Sequence, residues 1–149
     1  MLTAERLIDM SKIAVVYWSG TGNTESMAQA VAEGITEAGG EAVQLTAAEF
    51  RADMMDAFDA IAFGCPSMGS EELEDSEFAP MFAACEPKLS GKKIALFGSY
   101  GWGDGEWMRN WTETCEGDGA VFACDFVICN DAPDDDAVAA CKALGAALV

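Results

Sequence analysis

Three apolar runs set the rhythm of this chain: Ile13-Ala14-Val15-Val16-Tyr17-Trp18, Ala60-Ile61-Ala62-Phe63-Gly64-Cys65 and Ile94-Ala95-Leu96-Phe97-Gly98. None of them alternates with polar residues, as expected for strands buried on both faces in a parallel sheet. Glu41–Thr46 does alternate and reads as a half-buried edge strand. From about Glu25 to Ala38, Met27, Ala30, Val31, Gly34 and Ile35 share one stripe at spacings of three and four, and Gly39-Gly40 stops the helix. Further helices are predicted over 54–58, over 76–85 with Ser76 as cap, over 106–116 and over 134–148, the last opening on aspartates at its positive end. A last strand is predicted from Ala120 to Cys129. Five strands alternating with about five helices, β-α-β-α-β-α-β-α-β, spell an α/β doubly wound sheet with right-handed crossovers.

At 149 residues and 51% hydrophobic content the chain has the size and the core material of one domain. The 8 Lys and Arg residues against 26 Asp and Glu leave a net charge of −18, which argues against nucleic acid and anionic membranes as partners and suits docking on basic patches of other proteins. Six cysteines occur without a CxxC pair and there is no histidine, so metal sites lack their usual ligand spacing. The cysteines read as small, half-buried or buried thiols, and the protein is expected to be cytoplasmic with those thiols reduced. No signal peptide is read at the start, and no apolar run approaches the roughly 20 residues of a membrane span. Residues 1–11 read as an N-terminal extension without assigned function, ahead of a domain over 12–149.

The loop after the first strand, Ser19-Gly20-Thr21-Gly22-Asn23-Thr24, has the chemistry of a phosphate cradle. Its glycines let the backbone approach an anion, its hydroxyls and amide donate at a helix start, and it contains no cation. It is not a Walker loop, because Asn23-Thr24 stands where Lys-Ser/Thr is needed; nor is it a dinucleotide fingerprint, because Glu25 takes the place of the third glycine. Two more loops leave the same sheet edge, Pro66–Glu72 and Ser99–Gly105. Trp102 between glycines invites stacking, Met68 offers a polarisable cover for the other face of a flat ring, and Gly69 is free to turn its peptide plane. Together the loops describe a slot for a planar ring tethered to one phosphate.

YWSGTGNTE (Tyr17–Glu25), GCPSMGSEELEDSEF (Gly64–Phe78) and LFGSYGWGDGEWMRNW (Leu96–Trp111) resemble the three flavin-binding loops of the flavodoxins. The similarity extends over about 12–149 and is to the short-chain kind, since Val121–Ile128 carries no long insertion. The resemblance implies the flavodoxin-like sheet order 2-1-3-4-5 with helices on both faces, and FMN as cofactor. It implies that Ser19, Gly20, Thr21, Gly22, Asn23 and Thr24 hold the phosphate, with Ser99 adding a hydroxyl. Trp102 and Met68 would cover the two ring faces, the Gly69 carbonyl would accept from N5–H after the Gly69-Ser70 peptide turns, and Glu71 would accept from N3–H. Gly101 to Gly103 would reach the pyrimidine edge, with Ser67, Ser70 and Tyr100 in the same contact set. Ser70 replaces an acidic residue of some relatives, Pro66 removes a hydroxyl found in others, and the N-terminal extension is not a family feature.

The implied function is a low-potential one-electron carrier, a monomer shuttling between semiquinone and hydroquinone and serving redox proteins with basic docking patches. Carboxylates and an apolar sandwich would penalise the anionic reduced ring. The alternatives are an FMN-dependent quinone or NAD(P)H oxidoreductase, for which the chain is too short to supply a second site, and a module that has lost FMN, against which the intact loops argue. Trp107 and Trp111, four apart on a helix, read as packing; Trp18 fits either a phosphate shield or strand-end core; and the acidic run from Glu71 to Glu77 also fits a solvated face.

Overall fold

A computed structural model describes residues 11–149. Of the extension assigned to 1–11, only Ser11 falls inside that range, and its carbonyl accepts from the Glu41 N–H at 2.7 Å. The strands are β1 (Lys12–Tyr17), β2 (Glu41–Thr46), β3 (Ala60–Gly64), β4 (Lys93–Tyr100), β5 (Val121–Phe122) and β6 (Val127–Asn130). The α-helices are α1 (Asn23–Glu37), α2 (Phe78–Cys85), α3 (Glu106–Gly117) and α4 (Asp135–Leu148). The helix expected over 54–58 is a 3-10 turn at Ala52–Ala57. All pairings are parallel and the order is β2-β1-β3-β4-β5, with β6 also on β4.

The absence of alternation in β1, β3 and β4 has the cause expected: each face of the sheet is covered. Ala14, Val16, Ile61, Phe63, Ile94 and Leu96 face α2 and α3, where Phe78, Phe82, Trp107 and Trp111 complete one core. Ile13, Val15, Ala60, Ala62, Ala95 and Phe97 face α1 and α4, against Met27, Val31, Ile35, Cys141, Leu144 and Leu148. Trp107 and Trp111 are 2% and 3% exposed, which makes them packing residues. Trp111 meets Phe78 and Phe82 edge to face at 5.4 and 5.5 Å. Burial pushes the Cys65, Cys115 and Cys141 thiols up to about 12, so they are poor nucleophiles.

The last strand, expected unbroken over 120–129, is in two pieces. Ile94 pairs with Phe122 and Phe97 with Val127, so Ala95 and Leu96 stand opposite the four residues from Ala123 to Phe126. The surplus cannot stay in register, and pairing lapses until Val127.

The cap of α2 also differs from expectation. The Glu74 carboxylate, buried at 4% exposure, takes the role given to Ser76. Its Oε1 accepts from Glu77 N and Phe78 N at 2.8 Å each, and its Oε2 from Ser76 N at 2.8 Å and from the Ser76 hydroxyl. Burial alone would raise the pKa of this group, but the combined hydrogen bonds from the Ser76 hydroxyl and the three amides outweigh it and hold the carboxyl at about 2. A residue four positions ahead of the helix start escaped a search for Ser, Thr, Asp or Asn at the cap itself.

On the other face, α1 and α4 touch backbone to backbone. A Cβ on Gly34 would lie 2.0 Å from the Lys142 carbonyl oxygen, and one on Gly145 2.1 Å from that of Val31. Gly145→Ala is therefore expected to lower the unfolding free energy by about 3 kcal/mol, read by urea denaturation, because the helices must separate. Glu74→Gln is expected to cost about 2 kcal/mol at pH 7. The folded pKa lies below the 4.5 of a free glutamate, so this contribution is present above pH 4.5 and lost as pH falls through about 2. Denaturation curves of the two proteins should converge over that window.

Candidate functional site

The order β2-β1-β3 reverses the chain's direction of travel between β1 and β3, so the loops after them diverge and leave a crevice at the carboxyl edge. Trp18, Ser19, Gly20, Thr21, Asn23, Thr24, Pro66, Ser67, Met68, Ser99, Tyr100, Gly101 and Asp131 line an open cleft of about 210 Å³ there. No Lys or Arg is among them.

The first loop turns into α1 at Gly22, whose φ of +96 favours glycine. The Ser19 hydroxyl oxygen accepts from Gly22 N at 3.1 Å and Glu25 N at 3.2 Å, which folds the loop onto itself. The amides of Gly20, Thr21, Asn23 and Thr24 have no acceptor among the described residues, and all four residues line the cleft. Amides in that state at a helix N-terminus suit a compact anion. Thr24 is buried, and its Oγ1 accepts from Ser99 N at 3.4 Å, which ties this loop to the end of β4. Gly22 itself faces the outer side of the loop, with Tyr17 and Glu25.

The second loop is a tight turn in which Met68 and Glu72 exchange two backbone hydrogen bonds, each of 2.8 Å. Gly69 sits at φ +54, a conformation that favours glycine, and nothing lies within 4 Å of where its Cβ would be. Met68 is 37% exposed at the cleft. Ser70 is exposed at the tip of the turn. Ser67 donates its N–H to Ser99 O at 3.0 Å, holding this loop beside the third.

In the third loop the amides of Gly101, Trp102 and Gly103 likewise lack an acceptor among the described residues. Trp102 stands 64% exposed beyond the cleft's inner wall. Tyr100 packs on Trp107 with ring centres 5.6 Å apart. Glu71 crosses from the second loop, its Oε1 accepting from Glu106 N at 3.1 Å.

The residues singled out in the sequence therefore fall into an inner group around the cleft (Ser19, Gly20, Thr21, Asn23, Thr24, Ser67, Met68, Ser99, Tyr100 and Gly101) and an outer group (Gly22, Gly69, Ser70, Glu71, Trp102 and Gly103). The Ser99 hydroxyl, expected to serve a phosphate, donates to the Asp131 carbonyl at 2.6 Å. Asp131, at φ +57, lines the cleft and was not foreseen; the Asn130-Asp131 turn after the last strand was the available signal. Trp18, left open by the sequence, lies against Gly20 and donates its indole N–H to Glu77 at 3.0 Å, walling the first loop.

The flavodoxin family model matches residues 15–144. Flavodoxin of Megasphaera elsdenii is 46% identical over 135 residues, 91% of this chain and 96% of the relative. Flavodoxin of Clostridium beijerinckii is 46% identical over 121 residues, 81% and 88% of the two chains. The solution structure of two-electron reduced Megasphaera elsdenii flavodoxin superposes with a TM-score of 0.85, covering 91% of this chain and 97% of that one. A flavodoxin from the domain Archaea, 28% identical, superposes with a TM-score of 0.78 over 90% and 93%. With the sheet order, the anion-ready first loop and these similarities together, the chain belongs to the flavodoxin family of FMN-binding electron-transfer proteins, in its short-chain form.

Proposed function

We propose that residues 12–149 hold FMN by the three loops as one domain and pass electrons singly, at low potential, between redox proteins that dock through basic patches. The observation that carries this reading is the pairing of unpartnered backbone amides with a cleft that, among the described residues, is lined by no cation. Bound FMN supplies the redox chemistry; the protein supplies position and electrostatics.

In this reading Ser19 to Thr24 receive the phosphate, with Asn23 and Thr24 opening α1 so that its dipole points at the anion. Trp102 stacks on one ring face, Met68 covers the other, and Ser67 and Tyr100 hold the two loops that carry them. The amides of Gly101 to Gly103 serve the pyrimidine edge. The Gly69 carbonyl, once the Gly69-Ser70 peptide turns, would accept a hydrogen bond from N5–H, and Ser70 would take up the backbone change. Glu71 Oε2 remains for N3–H, because Oε1 is engaged by Glu106 N. Ser99 contributes by fixing Asp131 and Thr24.

A negative charge added in this cleft meets Asp131 in its lining and the nearby loop carboxylates of Glu71, Glu72 and Asp104, with no cation lining the cleft among the described residues, which raises its energy and lowers the potential at which it can be added. Arg109, the cation nearest the third loop, is engaged by Asp104 at 3.0 Å. Exposed Met68 and Trp102 beside these carboxylates give a basic partner an apolar centre and an acidic rim. The six cysteines are free, which fits a reducing cytoplasm, and no helix among the described residues is long and apolar enough to cross a membrane. All the residues lining the cleft come from one chain, which suits a monomer.

The purified protein is expected to be yellow and to take up FMN stoichiometrically, and NADH alone should not reduce it on the timescale of turnover; rapid reduction by NADH without a reductase would favour the oxidoreductase instead. Trp102→Ala should weaken FMN binding by about 1 to 3 kcal/mol in a fluorescence titration through lost stacking and burial. Gly69→Ala should narrow the gap between the two one-electron potentials by an amount on the order of 1 kcal/mol, because alanine is strained at positive φ. An unchanged gap in potentiometric titration would count against a turning peptide at this position.

A further inference from the structure

Glu71 occupies the left-handed region at φ +56, which costs any residue other than glycine free energy and persists where the surroundings demand it. Its carboxylate is aimed across the site. Oε1 accepts from the N–H of Glu106, the first residue of α3, at 3.1 Å. The N-cap of that helix is Gly105, which has no side chain to accept with, so the acceptor comes from 35 residues away. The same carboxylate fills the space a Gly103 side chain would need, since a Cβ there would lie 2.6 Å from Oε1 and 3.1 Å from Oε2. On the far side of the loop, Arg109 donates to the Asp104 carbonyl at 2.9 Å and to Asp104 Oδ1 at 3.0 Å. Trp102 lies immediately ahead of the stretch from Gly103 to Glu106 that these contacts hold, and its own amide and those of its neighbours have no acceptor among the described residues.

We infer that Glu71 is a positioning residue: by capping α3 from the neighbouring loop it holds the Trp102 loop, so that the Gly69 turn and the stacking tryptophan form one mechanical unit. The consequence for FMN rests on the function proposed above; the strut itself does not. Oε1 performs this task and Oε2 is left for the ring.

The test uses the full chain with and without FMN. Amide hydrogen exchange at Glu106 should accelerate about tenfold in Glu71→Ala, the loss of one hydrogen bond to a charged acceptor. Glu71→Gln keeps an acceptor oxygen and should stay within about threefold of the original rate. In FMN titrations, Glu71→Ala combined with Trp102→Ala should lose less affinity than the product of the single losses, because part of the effect of Glu71 passes through Trp102. Unchanged exchange at Glu106 in Glu71→Ala, or single losses that multiply in full, would overturn the inference. If the unsubstituted chain bound no FMN, the functional reading would fall while the exchange rates would still decide the strut.

Discussion

The site depends on backbone amides left without partners at the carboxyl edge of the sheet, in a protein whose net charge is −18. A phosphate approaching such a molecule meets repulsion from most directions. Fixed N–H dipoles at the start of α1, in a loop bent by a glycine at φ +96 and tied by the Ser19 hydroxyl, offer attraction that needs no cation. The rest of the fold serves to leave those amides open and to bring two further loops beside them.

The helices show how selectively this is done. A carboxylate takes N-terminal amides of three of them: Glu74 at α2, Glu71 at α3 and Asp134 at α4, where Oδ1 accepts from Ala137 N at 2.8 Å. At α1 the Ser19 hydroxyl satisfies Glu25 N and leaves Asn23 N and Thr24 N open. Among the described α-helices, the chain thus fills three starts with its own anions and leaves the amides at the start of α1 open. Glu74 does this from a buried position, and the amides it collects are what keep it ionised there.

Below the site, the two faces of the sheet are packed in different ways. The α2 and α3 side is filled by interlocking aromatic rings, with Phe63 and Phe82 edge to face at 5.2 Å. The α1 and α4 side achieves closeness by omission, with Gly34 and Gly145 letting helix backbones meet. Because the first loop turns directly into α1, the glycine contact with α4 also bears on where that loop sits relative to β4 and the third loop.

Local patterns determined much of this protein without help from tertiary structure. Unbroken apolar runs identified β1, β3 and β4, alternation identified the edge strand β2, and loop composition identified the three turns that gather at one edge. These signals are legible because strand burial, helix stripe and turn chemistry each act over a few neighbouring residues. What remained illegible was whatever joins residues far apart in the chain. The break between β5 and β6 follows from a register with β4, and the caps on α2 and α3 come from Glu74 and Glu71 ahead of or far from the helices they serve. The Ser99 hydroxyl turns to Asp131 because folding brings a distant carbonyl within 2.6 Å. Composition and spacing announce which groups are available, but only the packed sheet decides which of them meet, because a hydrogen bond is made or lost within a few tenths of an ångström.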